Sequence, residues 1–425
     1  MTPRYPGLRR FAWVLMLLSV TLYLCVSAIT LAHLGVPYDL PGGSPLVKLH
    51  PGTLMMALAL AVGLVAWGHP LQVLIDRLRR MPLVATYLAC MMLVAAWSVW
   101  RNGISGAAFI VDSLWMPGVA LLVLGLYSSD RHRKLLLWVL LLVGLNAVIG
   151  LVEYALKTSL VPRYLSTTDL IADAGYFRSS ALLGHPLSNA LITVSLMPAA
   201  LLLPPRLGWP LLATLALALL AFGSRTAMAV AALVYAPLLL AYLAWRAAQG
   251  SYSYRQLMGG MLGLMLACTA LVATVWLSGL GERIFANLRW DNSANVRLLV
   301  WDALDHLNDN DWWVGVSPAR IEEIAARIGI DLRYEALENF WIVLLMQLGL
   351  LGFTPFLIGL AAGVWHVWRV AAAPMRLAVL CYFLVASGAN TLASKSVSLT
   401  LLFVVMLGSA AWVQARPPTE RGLLR

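Results

Sequence analysis

Apolar residues run through this chain in long stretches, and polar residues gather in the gaps between them. A helix needs roughly 20 apolar residues to cross the hydrocarbon core of a bilayer. About twelve stretches reach or approach that length. They lie near 11–33, 52–69, 81–98, 105–127, 135–155, 187–203, 210–223, 226–244, 257–279, 340–363, 377–393 and 397–414. The seventh is short and stops at Gly223-Ser224-Arg225. The pattern predicts an all-α polytopic membrane protein, a single integral membrane domain over 1–425, with a large extracytoplasmic helical loop. Two gaps stand out, at about 156–186 and 280–338, and the second is too long for a simple connector.

The long gap carries helical periodicity of its own. Ser317 suits an N-cap and Pro318 a first helical position. Ile321, Ile324, Ala325 and Ile328 follow at helical spacing, and Gly329 can end the helix. Upstream, Val296, Leu299, Val300, Ala303, Leu304 and Leu307 form an apolar stripe, with Arg297, Trp301 and Asp305 on another face. The loop therefore reads as a small helical cap lying on the membrane domain. The two halves of the chain show no sequence repeat, which counts against transporter folds built from repeats.

Composition agrees with the pattern. The chain is 61% hydrophobic and only 12% charged, too little polar surface for a soluble domain. Its four cysteines, Cys25, Cys90, Cys268 and Cys381, all fall inside expected spans, with no disulfide framework or metal-ligand spacing. The first apolar segment follows Arg9 and Arg10 like a secretion signal, but its length favours an uncleaved span.

Charge adds orientation. With the N-terminus inside, the short cytoplasmic segments hold 17 Lys and Arg and the short outside connections hold 4. That bias places both termini in the cytoplasm. It also accounts for the high isoelectric point without nucleic-acid binding. Acidic residues cluster instead: 11 of 19 carboxylates lie within 280–338, so the polar excursion is where chemistry or partner contact is expected.

Four patches could carry chemistry, and all fall on the same, extracytoplasmic side of this topology. The first is Phe177 to Asn189, including Arg178, Gly184, His185 and Pro186. The second is Gly223-Ser224-Arg225-Thr226-Ala227. The third runs from Asn295 to Trp301 around Arg297. The fourth is Glu335-Ala336-Leu337-Glu338-Asn339-Phe340-Trp341, followed by Gly349-Leu350-Leu351-Gly352. Three patches present an arginine beside a helix end. A guanidinium is always charged and grips phosphate through a planar fork, so three of them suit a lipid-linked diphosphate. Taken singly, each could instead snorkel or pair with a carboxylate of the loop.

The order of these patches resembles the O-antigen ligase and polysaccharide polymerase superfamily. The resemblance rests on Arg178 with Gly184, Pro186 and Asn189; on Ser224 and Arg225; on Arg297 and Trp301 with Gly315 and Val316; and on Asn339, Phe340, Gly349, Leu350 and Gly352. It covers roughly 135–360. Members use undecaprenyl-diphosphate-linked glycans at the periplasmic face of the bacterial inner membrane. Ligases move the glycan onto lipid A–core, whereas polymerases move a growing chain onto the next lipid-linked unit. They are regarded as metal-independent glycosyltransferases. By resemblance, Arg178, Arg225 and Arg297 handle the diphosphate here, no cofactor is needed, and a chain-length regulator or flippase is a natural partner.

One departure separates the branches. Ligases of this family carry a histidine just before the asparagine at which the loop returns to the membrane. This chain reads Leu337-Glu338-Asn339, which favours a polymerase. A glutamate serves as general base where its environment suits, so Glu338 is the first candidate base and Glu335 the second. Asn189, Ser224, Asn339, His185, His306 and Trp301 complete the candidate substrate-binding set, with the histidines as readily structural as functional. Asp112 and Glu153 are ionisable groups within spans, where such groups are costly and often functional. Trp97, Trp100, Trp312, Trp313 and Trp341 read as interfacial anchors, and Trp301, Trp312 and Trp313 could also stack on sugars. The competing functional class is a lipid-linked oligosaccharide flippase, which would need an ionisable path through the helices.

Overall fold

The computed structural model describes residues 3–39, 44–103, 107–161, 177–248, 258–259, 292–332 and 337–414. Among the described residues the secondary structure is helical, without strands. Every expected span except the ninth coincides with a helix; the ninth, 257–279, lies outside the described residues apart from 258–259. In order these helices are α1 (Pro6–Cys25), the short α2 (Ala28–His33), α3 (Pro51–Val65), α4 (Pro70–Arg80) and α5 (Pro82–Asn102). A π-turn at Ile110–Trp115 leads into α6 (Met116–Gly125), followed by α7 (Ser129–Leu156), α8 (Pro186–Ala200), α9 (Pro205–Phe222) and α10 (Arg225–Ala248). Then come α11 (Asn292–Asp302), α12 (Asp309–Val314), α13 (Pro318–Arg327), α14 (Phe340–Val370), α15 (Ala373–Ala386) and α16 (Ser398–Gln414).

Five of the described helices, α1, α5, α7, α9 and α14, are long and apolar enough to cross a membrane; counting the bent pair α3–α4 as one span makes six. Shorter apolar helices pack among them: α6 with its π-turn, α8, α10 over Arg225–Tyr235, α15 and α16. Proline at the first or second position starts many of them, where its missing N–H costs nothing. α8 and α16 are buried on almost every face, so their sequences are apolar all round rather than amphipathic. α14 packs along α5, α1 along α3, and α16 along α7. Gly359 and Gly363 let α14 approach α5 closely: a Cβ at Gly363 would stand 2.5 Å from Tyr87 Cδ2. Small residues at such crossings are how membrane helices gain dispersion contact.

α14 is not continuous. Gly349 breaks it with φ 60° and ψ 176°, a conformation open essentially to glycine. The carbonyls that the break orphans find new donors: Val316 N–H donates to Met346 O at 2.7 Å, and Trp97 Nε1 donates to Leu348 O at 2.9 Å. Such replacement is what permits broken backbone at membrane depth. Trp97 thus ties the break together, where the sequence suggested an interfacial anchor.

Residues 292–332 form a small helical cap against α14. Ser317 Oγ accepts from Arg320 N–H and starts α13, and Gly329 follows its end at φ 81°. The upstream stripe folds as α11 and then a 3₁₀ turn at Ala303–His306, rather than one helix. Val296, Val300, Ile321, Ile324 and Ile328 build a small core that is completed by Ile342, Val343 and Met346 of α14.

Side-chain contacts identify the two ends of the bundle. Tyr127 OH donates to Arg9 O at 3.0 Å, bringing the starts of α1 and α7 together. Their far ends meet the segment 179–184, where Gly184 lies against Ser27 and Glu153 holds Ser179 to Ala181. A 20-residue helix such as α1 is about 30 Å long, so the two ends are separated by about the thickness of a bilayer core.

Candidate functional site

The site end is assembled from the ends of α7, α9 and α15, the starts of α8, α10 and α14, and one short connection, 387–390. Positioning begins on α7. Glu153, fully buried, accepts at one carboxylate oxygen from Ser179 Oγ at 2.5 Å, Ser180 N–H at 3.1 Å and Ala181 N–H at 2.8 Å. Its other oxygen accepts from Leu160 N–H at 2.8 Å. Two turns earlier, Asn146 Oδ1 accepts from Leu182 N–H at 2.9 Å. Residues seven apart share a helix face, so Asn146 and Glu153 clamp one tight turn in which Ala181 adopts φ 37°.

That turn aims Arg178 at the end of α9. Arg178 Nε donates to Phe222 O at 3.3 Å, and Ser179 N–H donates to Ala221 O at 3.1 Å. Gly223 closes α9 in the left-handed region at φ 63°, as a glycine after a helix commonly does. Arg178 lies directly against it: a Cβ at 223 would sit 3.5 Å from Arg178 Cγ and Nε. Ser224 Oγ then accepts from Ala227 N–H at 3.4 Å and caps α10, which places Arg225 in its first turn.

Gly388 joins this arm to the cap. A Cβ built there would stand 3.8 Å from Thr226 Cγ2 and 3.8 Å from Arg297 Nε. Arg297 Nε donates to Gly388 O at 3.2 Å, while its Nη2 pairs with Glu338 Oε2 at 2.5 Å. On the other side Phe340 N–H donates to Ala389 O at 2.9 Å, and Trp341 Nε1 donates to Ser387 Oγ at 2.8 Å. Asn339 Oδ1 caps α14 by accepting from Trp341 N–H at 3.1 Å.

The four sequence patches therefore converge. Arg297 and Thr226 lie against Gly388, Glu338 pairs with Arg297, and Arg178 lies against Gly223, two residues before Arg225; α8, α10 and α14 all begin at this end. Helix N-termini carry partial positive charge and unpaired N–H groups, which attract anions. Arg178, Arg225 and Arg297 stand at the same end of the bundle as these three termini. The same end holds a cavity of about 240 Å³ whose lining includes Ser27, His185, Ser188, Asn390 and Lys395.

Several candidate binding residues have structural duties. Asn189 is buried, accepts from Asn146 Nδ2 at 2.8 Å and donates to His185 O at 3.0 Å and to Ser180 O. His185 caps α8 by accepting from Leu187 N–H at 3.3 Å, and it also faces the cavity. Ser224 and Asn339 are the caps already described. His306 offers its backbone carbonyl to Arg320 Nη2 at 3.4 Å. Trp301 is 57% exposed on α11, one turn from Arg297, and Trp313 is equally exposed on the cap. Glu335 lies outside the described residues.

Asp112 resolves as a structural anchor rather than a lone intramembrane charge. It accepts from Tyr38 OH at 2.7 Å and from His50 N–H at 3.1 Å, tying the connection before α3 to the π-turn. Sequence reasoning missed Gly388 altogether, because 377–393 reads as one apolar run. The available signal was the small polar string Ser387-Gly388-Ala389-Asn390 inside it. Among the described residues no group of three His, Cys, Asp or Glu side chains could hold a metal ion. Compared with known protein families and with curated proteins, the chain matches none.

Proposed function

We propose that the chain is a membrane glycosyltransferase that takes its glycan from a polyprenyl-diphosphate carrier, such as undecaprenyl diphosphate, and extends a polysaccharide by joining repeat units. The observation that carries this reading is the chain of contacts that links Arg178 to Gly223, Thr226 and Arg297 to Gly388, and Arg297 to Glu338 at one end of the bundle. A diphosphate leaving group develops charge as it departs. Each well-placed guanidinium that meets that charge contributes on the order of 3–4 kcal/mol to the barrier reduction. Placed where apolar helices end, the same groups let the lipid tail stay among the helices while its headgroup is held.

In this mechanism an acceptor hydroxyl attacks the anomeric carbon of the carrier-linked sugar. The C–O bond to the diphosphate breaks, and the electron pair leaves with the lipid diphosphate. Glu338 takes the hydroxyl proton. Its ion pair with Arg297 gives the two groups linked roles: a diphosphate that draws Arg297 toward itself uncovers the carboxylate for the acceptor. A single displacement inverts the anomeric configuration.

The stretch Leu337-Glu338-Asn339, with no histidine, favours the polymerase branch over the ligase. Asp112 and Glu153 are both engaged in local hydrogen bonds, which leaves little support for an ionisable path of the kind a flippase needs. The reading places the site at the periplasmic face of the bacterial inner membrane, with both termini cytoplasmic. It makes a chain-length regulator or a flippase the expected partner.

The test is to incubate purified protein with an undecaprenyl-diphosphate oligosaccharide, without metal or nucleotide sugar, and to resolve the products by size. A ladder of longer lipid-linked glycans with inverted linkages supports the reading. Transfer only after lipid A–core is supplied would make it a ligase. No transfer in either case, alongside an active control polymerase, would contradict it.

A further inference from the structure

The opposite end of the bundle holds a second basic cluster, which the proposed reaction does not use. Arg9 starts α1, Arg77 lies in α4, and Arg131 lies in the first turn of α7. All three guanidinium groups are seated on shared aromatic rings. Arg9 Cζ is 5.6 Å from the Trp67 ring and 5.5 Å from the Tyr127 ring. Arg131 Cζ is 5.1 Å from the same Tyr127 ring and 5.3 Å from Trp13. Arg77 Cζ is 5.9 Å from Trp67. Cation–π contact of this kind holds an arginine in place, where a snorkelling side chain would extend freely into water.

The cluster is under-neutralised. The neighbouring carboxylate Asp130 pairs with Lys134 at 3.2 Å and Arg133 at 3.8 Å instead. Asp76 sits on α4 next to Arg77, but among the described residues no carboxylate approaches Arg9, Arg77 or Arg131 within ion-pair distance. Arg9 does donate from Nη2 to Leu126 O at 3.2 Å. Shielded donors nevertheless go unmet by the described protein atoms: Arg9 Nε, Arg131 Nη1 and Trp67 Nε1. Three like charges gathered with three unmet donors are the inverse of a phosphate.

Position identifies what carries that phosphate. α4 turns 107° from α3, so it lies across the end of the bundle. It is amphipathic: Leu74 and Leu78 pack on the core, while Leu71 and Ile75 are 73% and 47% exposed. Helices of this kind rest in the interface with their apolar face toward acyl chains, and basic pockets between helix ends at that depth suit acidic lipid headgroups. The geometry points to a binding site for the phosphate of an anionic phospholipid, formed by Arg9, Arg77 and Arg131 and roofed by α4.

The experiment measures the thermal midpoint of the purified full chain in neutral detergent, with added phosphatidylglycerol, phosphatidylcholine or inorganic phosphate. Native mass spectrometry of the same samples counts retained lipid. Phosphatidylglycerol is expected to raise the midpoint by several degrees and to stay bound. Phosphatidylcholine and inorganic phosphate are expected to do neither. Arg77→Gln, and the double variant Arg9→Gln with Arg131→Gln, are expected to lose the shift, whereas Arg369→Gln, an exposed basic residue at the end of α14, keeps it. If the double variant does not fold, Arg77→Gln decides alone, because its side chain lies on the peripheral helix. An equal shift in Arg77→Gln and wild type would overturn the site. A full shift with inorganic phosphate would overturn the lipid.

Discussion

At Gly388 one missing side chain sets the spacing of the site. Thr226 and Arg297 approach to positions that a methyl group would just touch, at 3.8 Å each. Two substitutions at 388 therefore differ in effect. Gly388→Ala adds only ordinary van der Waals contact and is expected to keep most activity. Gly388→Leu would push Arg297 from its carbonyl partner and is expected to reduce transfer by two orders of magnitude or more, a loss on the scale of one charge-stabilising donor. Comparing initial rates of the two variants, with unchanged gel-filtration behaviour as the folding control, checks this. Equal rates would remove Gly388 from the site. Such a role was not legible in the sequence, because a glycine within an apolar run has no periodic signal. The arginines were legible because each stands beside an expected helix end, where a fixed positive charge suits an anion. What residue type alone leaves open is the partner. Asn189, Ser224 and Asn339 have the chemistry of ligands, yet the structure employs all three on backbone and amide groups.

Among the elements, α3 and α14 show how local chemistry fixes the frame. His50 caps α3: its Nδ1 accepts from Gly52 N–H at 3.0 Å, so Nε2 carries the proton and donates to Val26 O at 2.7 Å. Burial holds this imidazole below the ordinary histidine range. The unfolded chain then takes up a proton at a higher pH than the folded chain does. Stability is full above about pH 6.5 and falls as pH drops below it. Thermal midpoints at pH 7.5 and 5.5 should show that loss, and His50→Asn, a non-titrating cap, should show a shallower one. An identical slope in the variant would exclude His50 as its source. In α14, a Cβ at Gly349 would meet Gly315 N at a distance no atoms sustain, and Trp313 O at 2.5 Å. Gly349→Ala should cost about 1–3 kcal/mol for the backbone conformation alone, with more for the clash. It should free the cap, read as faster proteolysis within 292–332; unchanged proteolysis would mean that the cap docks without this contact. The helical run through 340–363 was plain from the sequence, but its break was not. A lone glycine there is compatible with a continuous helix until Gly315 arrives from far away in the chain.

Across the whole molecule, charge is sorted between two ends about one bilayer apart. One end gathers Arg178, Arg225, Arg297 and Glu338 with the cap above them. The other gathers Arg9, Arg77 and Arg131 around Trp13, Trp67 and Tyr127. The sequence showed this sorting through run lengths and Lys/Arg placement, because both follow from the cost of burying charge in lipid. It did not show that α4, counted as a cytoplasmic connection, is an amphipathic helix lying across the bundle, since a short helical stripe among arginines reads equally well as a loop. Nor did it show which side chains meet, because the convergence at Gly388 joins segments more than 200 residues apart in the chain. The central claim is that this convergence takes charge from a departing lipid diphosphate. Its most direct test is the rate of undecaprenyl diphosphate release from a carrier-linked oligosaccharide by purified protein. The account predicts that Arg297→Ala and Glu338→Gln each slow release by about 10²-fold or more, while both variants bind detergent and sediment as wild type does. Release by both at the wild-type rate would contradict it.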